Sequence, residues 1–229
     1  MNSRRLFPVF LVALGLTASW SALAADAPVP VGLGPKSTLW LEGTSTMHDY
    51  ESTAGIVRVT MTRDGTKAAP VNVADLETLI RESGIRGVQV EIPVTSMKSK
   101  KDGLDKNMYK TLKATEHPTI RCELTSYSVA PAKSGGDTLD LRAEGTLEVA
   151  GAKRPVKLAA RAWRSADGVW IAGTQPLKMS EFGIKPPTMM MGTLRVGDAV
   201  TVSYRLLLVP KNGEAAATPA AEPQKGAVR

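Results

Sequence analysis

The sequence predicts an all-β protein of about eight antiparallel strands with two short helices. Three observations carry that prediction. Apolar and polar residues alternate through most of 37–209, the connections between alternating runs suit antiparallel neighbours, and only two stretches switch to a helical period. Eight such strands close into a barrel that is either filled by side chains or wide enough for one slender ligand. They also stack as a two-sheet sandwich. Alternation alone leaves both architectures open.

The ends of the 229-residue chain fall outside that pattern. Arg4 and Arg5 precede an apolar run from Leu6 to about Ala18, and Ala22-Leu23-Ala24 is a small-x-small cleavage site. That apolar run is too short to span a bilayer, so residues 1–25 are expected to be a secretory signal peptide, with the mature chain in an exported compartment. The Pro/Gly-rich lead over 26–36 is expected to be flexible and the Ala/Pro-rich tail over 211–229 disordered, leaving one domain at 37–210.

Within the domain, Ser37 to Thr46 reads as the first strand and Asp49 to Thr62 as the second, with Val57, Val59 and Met61 on one face. Asp75 to Arg81 fits one or two helical turns closed by Gly84. Val88, Val90 and Ile92 restore the strand period. Leu104, Met108 and Leu112 then form one narrow stripe of a second helix, with Asp102 as its cap, suited to lying across a sheet or a barrel end. Thr119 to Val129 is a further strand, with Ile120, Cys122 and Leu124 facing one way.

The clearest pattern lies between Thr138 and Trp163. Leu139, Leu141 and Leu147 alternate with charged residues, and after a Gly-containing turn Val156 and Leu158 alternate with Lys157 and Arg161. This is an antiparallel hairpin with one dry face, which requires a cover. Asp167-Gly168 turns the chain into Val169 to Thr174. Met179 to Gly197 is irregular, and Asp198 to Val209 is the last strand, with Val200, Val202 and Tyr204 among its one-sided apolar residues.

Composition narrows the function classes. Hydrophobic residues make up 43% of the chain, enough for one sizeable core. The formal charge of +7 becomes 27 basic against 22 acidic residues once Arg4 and Arg5 leave with the signal, a mild excess that suits anionic surfaces. No basic run interleaves with aromatics, so nucleic acid is not expected. The single cysteine, Cys122, cannot form an internal disulfide and is expected to be a small buried hydrophobe. No nucleophile elbow surrounds Ser45 and His48, so no catalytic residues are assigned.

Five segments carry a resemblance in chain order: Gly43-Thr44-Ser45-Thr46-Met47-His48-Asp49-Tyr50; Gly103 to Met108 followed by His117-Pro118-Thr119-Ile120; Gly145-Thr146-Leu147 with Gly151 to Val156; Phe182-Gly183-Ile184; and Val196 to Val200. Together they resemble the YceI-like family. The family's common helix lacks its aromatics here, where Met108 and Tyr109 stand in similar places, and the Lys67 to Arg86 insert is longer than expected.

The resemblance implies an extended eight-stranded lipocalin-like barrel in the periplasm that holds a polyisoprenoid, an isoprenoid quinone or a similar long-chain lipid, with no cofactor besides that ligand. The apolar faces named above then become its lining, with Met189 and Met190 at the mouth and His48 as either a headgroup contact or a structural turn group. The partners to expect are the isoprenoid lipid, a membrane surface met transiently and a second copy of the chain in a homodimer. Two other readings stay open: a structural or stress-related module whose barrel is filled by its own side chains, and a soft copper site of Met and His.

Overall fold

The computed structural model describes residues 25–133, 136–189 and 193–211. The proposed signal peptide, Met190, Met191 and nearly all of the expected tail lie outside these residues. The described chain runs β1 (Ala27–Pro28), β2 (Val31–Leu33), β3 (Thr38–Ser45), β4 (Tyr50–Ala54), β5 (Arg58–Arg63), helix α1 (Val73–Arg81), β6 (Ile85–Pro93), β7 (Met97–Lys98) and helix α2 (Asp102–Thr111). It continues with β8 (Thr119–Pro131), β9 (Leu139–Val149), β10 (Ala152–Arg164), β11 (Val169–Lys178), β12 (Thr188–Met189) and β13 (Leu194–Pro210). Short 3₁₀ turns at Val94–Ser96 and Met179–Phe182 complete it.

All pairings are antiparallel, and the main path through the sheet is β1-β5-β6-β8-β9-β10-β11-β13-β3-β4-β7, with β2 and β12 also on β13. The sheet curls into an open barrel whose seam is bridged twice. At one end β7, which continues β6 beyond its 3₁₀ turn, pairs with β4. At the other, β1 pairs with β5 while β2 pairs with β13.

Among the described residues, thirteen strand segments thus replace the expected eight. Two departures explain most of the difference. Asp49 to Thr62 is two strands, because the chain leaves the ladder at Gly55–Val57 and β4 and β5 take different partners. The lead expected to be irregular supplies β1 and β2, since its backbone groups meet the exposed edges of β5 and β13. Lys211 belongs to this closure too, donating its backbone N–H to Pro30 at 2.8 Å.

The two helices close opposite ends. Asn72 caps α1 by accepting from the Asp75 N–H at 2.9 Å, and Leu76, Leu79 and Ile80 pack down onto Met61, Ile85, Leu139, Ala162, Val169 and Leu208. Tyr127 fastens this plug from β8, donating its hydroxyl to the Ile80 carbonyl at 2.9 Å and accepting from the Ile85 N–H at 3.3 Å. Helix α2 lies at the far end. Asp102 is its first residue rather than its cap, a position held by Lys101 without a side-chain bond.

On the outer wall, charges that alternate with the core residues meet directly across strands: Glu91 with Arg121 at 3.0 Å and Glu144 with Lys157 at 2.9 Å. Each exposed pair is worth little energy, but like charges in those registers would repel. Trp163 and Trp170 stack across β10 and β11 with centroids 6.2 Å apart, and the Arg205 guanidinium covers both rings.

Candidate functional site

The inner face of the sheet encloses an apolar cavity of about 240 Å³. It arises from strict alternation. Val59 and Met61 on β5, Val88, Val90 and Ile92 on β6, and Ile120 and Leu124 on β8 line one side. Leu141 and Leu147 on β9, Val156 and Leu158 on β10, Ile171 and Leu177 on β11, and Val202 and Tyr204 on β13 line the rest. Ile80 of α1 and Ile85 form the floor.

One strand changes face partway. On β8 the register with β9 shifts between Leu124 and Ser126, a bulge that inserts Thr125 and turns Tyr127 and Val129 toward the core side. Gly145 lies opposite the bulge, and a Cβ there would sit 2.0 Å from the Glu123 carbonyl oxygen, so only glycine permits this approach.

At the α2 end a second apolar cavity of about 160 Å³ continues the first, sharing Ile120 and Leu177 with it. Met108 of α2 and its C-cap Leu112, Met179 and Phe182 of the 3₁₀ segment, and Ile184 and Val200 surround this mouth. Two aspartates hold its rim. Asp105, almost wholly buried, accepts from Ser99 and lies 3.7 Å from the Lys98 ammonium. Asp198 accepts from the Ser180 N–H at 2.8 Å and the Ser180 hydroxyl at 2.6 Å, fixing the 3₁₀ segment to β13. In both, the serine hydrogen bonds hold the carboxyl below its ordinary pKa.

Polar groups on the bore wall are few. Arg86 is at its edge and pairs with Asp64. Cys122, Gln175 and Tyr204 lie between mouth and floor. Burial pushes the Cys122 thiol up to about 11, with Glu123 adding to the effect. Burial likewise pushes the Tyr204 phenol up to about 12, with Cys122 nearby adding to it.

Most of the expected lining therefore gathers round one cavity system, with exceptions. Val57 packs beside the Leu39, Ile92 and Met97 cluster without reaching the cavity, because it sits in the link between β4 and β5. Leu139 is buried under α1 beyond the floor. Met189 is the last residue of β12, and Met190 lies outside the described residues. His48 is exposed in the β3–β4 connection, where Ser45 Oγ donates to its carbonyl at 2.7 Å. It lines an outer hollow that shares Tyr50, Ser99 and Leu104 with the mouth. His117 packs over Gly151 in the β9–β10 turn, where φ is +82°.

Ile80, Ile85, Ile171, Gln175, Leu177, Leu206 and Leu208 also line the wall, beyond the residues that alternation assigned to it. For Leu206 and Leu208 the signal was present, two and four residues beyond Tyr204 on the same face. Among the described residues, no cluster of three His, Cys, Asp or Glu is placed to hold a metal ion.

The fold is thus an open antiparallel β-barrel around a largely apolar cavity. The chain belongs to the YceI-like family, whose domain model matches residues 41–208. No curated protein matches it. Among solved structures it resembles BcnA of Burkholderia cenocepacia, at 19% identity and TM-score 0.56, over 76% of this chain and 96% of that one. It also resembles a polyisoprenoid binding domain from Saccharophagus degradans implicated in plant cell wall breakdown, at 11% identity and TM-score 0.57, over 80% and 99% of the two chains. A YceI protein of Campylobacter jejuni shares 15% identity at TM-score 0.50, over 71% and 85%. These likenesses are of fold.

Proposed function

We propose that the protein is an exported carrier that holds a long-chain isoprenoid lipid, a polyisoprenoid or isoprenoid quinone, in its bore for sequestration or transport, without chemistry of its own. The observation that carries this reading is the predominantly apolar wall from mouth to floor, enclosing space that the protein's own side chains do not fill. Such a wall offers contact to a flexible hydrocarbon without demanding directional partners. At about 0.8 kcal/mol per buried CH₂, ~15 methylenes contribute ~12 kcal/mol before association costs. The polyisoprenoid-binding neighbour supports the same ligand class. Arg4, Arg5 and the small-x-small site support export to the periplasm, and the basic excess supports transient contact with an anionic membrane surface during loading.

Native mass spectrometry and organic extraction of protein purified without detergent test the proposal. A co-purifying prenyl lipid, or stoichiometric uptake of an added prenyl quinone, is the expected result. A protein that is empty on isolation and takes up neither quinone nor polyprene would refute carriage and leave a structural module as the better reading.

A further inference from the structure

The bore wall is not uniformly apolar, and its exception has a definite chemistry. Tyr204 lies on β13 between Val200 at the mouth and Leu208 at the floor, about 13 Å of extended strand from each. Its ring rests over Gly173 on the neighbouring strand: a Cβ at Gly173 would come within 2.5 Å of the phenol oxygen. The missing side chain at Gly173 is what lets the hydroxyl lie along the wall. Among the described residues that hydroxyl has no hydrogen-bond partner. The contrast with Tyr127 is informative, because that hydroxyl also faces the bore region but is used twice, by Ile80 and Ile85.

The Tyr204 side chain is half-buried and its hydroxyl keeps accessible surface on the cavity wall, so a guest that displaces water from it without supplying an acceptor leaves that hydrogen bond unmade, at a cost. Gln175, also on the wall, donates its amide to the adjacent Pro176 carbonyl at 3.1 Å. Cys122 is held as the neutral thiol by burial, a weak donor and a poor nucleophile that leaves an electrophilic guest intact.

Resting on the carriage proposed above, we infer that the Tyr204 hydroxyl donates to a carbonyl oxygen of the guest, so that the bore selects a prenylated quinone, head group inside, over a headless isoprenoid hydrocarbon. Tyr204 is then the specificity-determining residue of the bore, and the rest of the wall supplies affinity without discrimination. A hydrocarbon of the same length leaves the phenol unsatisfied, which lowers its affinity relative to the quinone.

The test compares wild type with Tyr204→Phe for a tetraprenyl quinone and for squalene, by titration in detergent-free buffer. The variant is expected to bind the quinone about five- to tenfold more weakly and squalene as well as or better than wild type, because the unmet donor is gone. Infrared difference spectra of the loaded wild type should show a quinone carbonyl band shifted to lower frequency, and the shift should vanish in the variant. Equal losses for both ligands, or an unshifted carbonyl in wild type, would overturn the role of Tyr204 while leaving carriage intact. Failure of wild type to take up either ligand would instead remove the carriage on which the inference rests, and the inference with it. The infrared measurement on wild type decides the matter even if the variant folds poorly.

Discussion

Asp105 accepts two hydrogen bonds of 2.7 Å from Ser99, one from the backbone N–H and one from the hydroxyl, and so ties the first turn of α2 to the chain leaving β7. Met108 on the same helix and Leu112 at its C-cap wall the mouth. Asp105→Ala should therefore lower stability by about 1–3 kcal/mol and accelerate guest exchange several-fold. Stopped-flow transfer of a fluorescent prenyl analogue reads the exchange. If the melting temperature falls and exchange does not change, α2 is not the gate.

The same contacts set an acid limit. Ser99 and Ser180 hold Asp105 and Asp198 below the usual carboxylate range. A carboxyl depressed by folding contributes stability above its unfolded value of about 3.9 and loses that contribution as pH falls through the lower folded value. Stability should thus decline from about pH 4 downward, and Asp105→Asn or Asp198→Asn should each make the decline shallower. Asp64, held low chiefly by Thr66 and then by Arg86, adds to the decline at the opposite end and remains in both variants. Denaturant titrations at stepped pH measure the slopes; identical slopes in all three proteins would disprove the assignment.

Cys122 gives the alkaline counterpart. With its thiol pushed up to about 11, the thiolate at pH 8 is about one part in a thousand, so alkylation of the folded protein should be slow and should accelerate on unfolding. An acid raised by folding is stabilising below its unfolded pKa and loses that effect as pH rises through the folded value. Stability should fall between about pH 9 and 11 by up to ~2–3 kcal/mol, and less in Cys122→Ala. Rapid maleimide labelling of the native protein at pH 8 would contradict the burial.

Adjacent residues on β9 separate the two faces of the wall. Leu141 lines the cavity while Arg142 is exposed, so Leu141→Glu should abolish uptake or folding and Arg142→Glu should leave both within about 0.5 kcal/mol of wild type. Equal behaviour of the two variants would reverse the assignment.

Gly145 provides the sharpest packing test. Its would-be Cβ meets backbone, not a movable side chain, so Gly145→Ala should cost about 2–4 kcal/mol by forcing β8 and β9 apart at the bulge. Thermal melts against Gly136→Ala measure it, since Gly136 has open space around it and reports only the backbone strain of its φ of +75°. A loss at Gly145 no greater than at Gly136 would show that the strands yield.

The hairpin of β9 and β10 was legible in the sequence because each of its strands keeps one period from end to end; Leu141, Leu147, Val156 and Leu158 all face the cavity as alternation predicts. Local pattern could not show where alternation resets. The inserted Thr125 and the break at Gly55–Val57 are consequences of distant pairings, with Gly145 in one case and with β7 in the other. The seam strands were hidden for a related reason. Ala27–Pro28 and Val31–Leu33 have only two or three residues each, and they become strands because β5 and β13 offer them bare edges. Val57 and Leu139 obeyed the apolar rule but lie at an end of the tube rather than along it.

The pairings of β13 bear on how the molecule is made. This strand hydrogen-bonds β2, β3, β11 and β12, so residues near 31–45 wait for partners more than 150 positions later. Folding dominated by such separations is slow, in the millisecond-to-second regime or beyond. A nascent polypeptide stopped short of Leu194 would carry several unmatched ladders at once, making it a conspicuous target for proteases and chaperones, and full-length synthesis the condition for a lasting product.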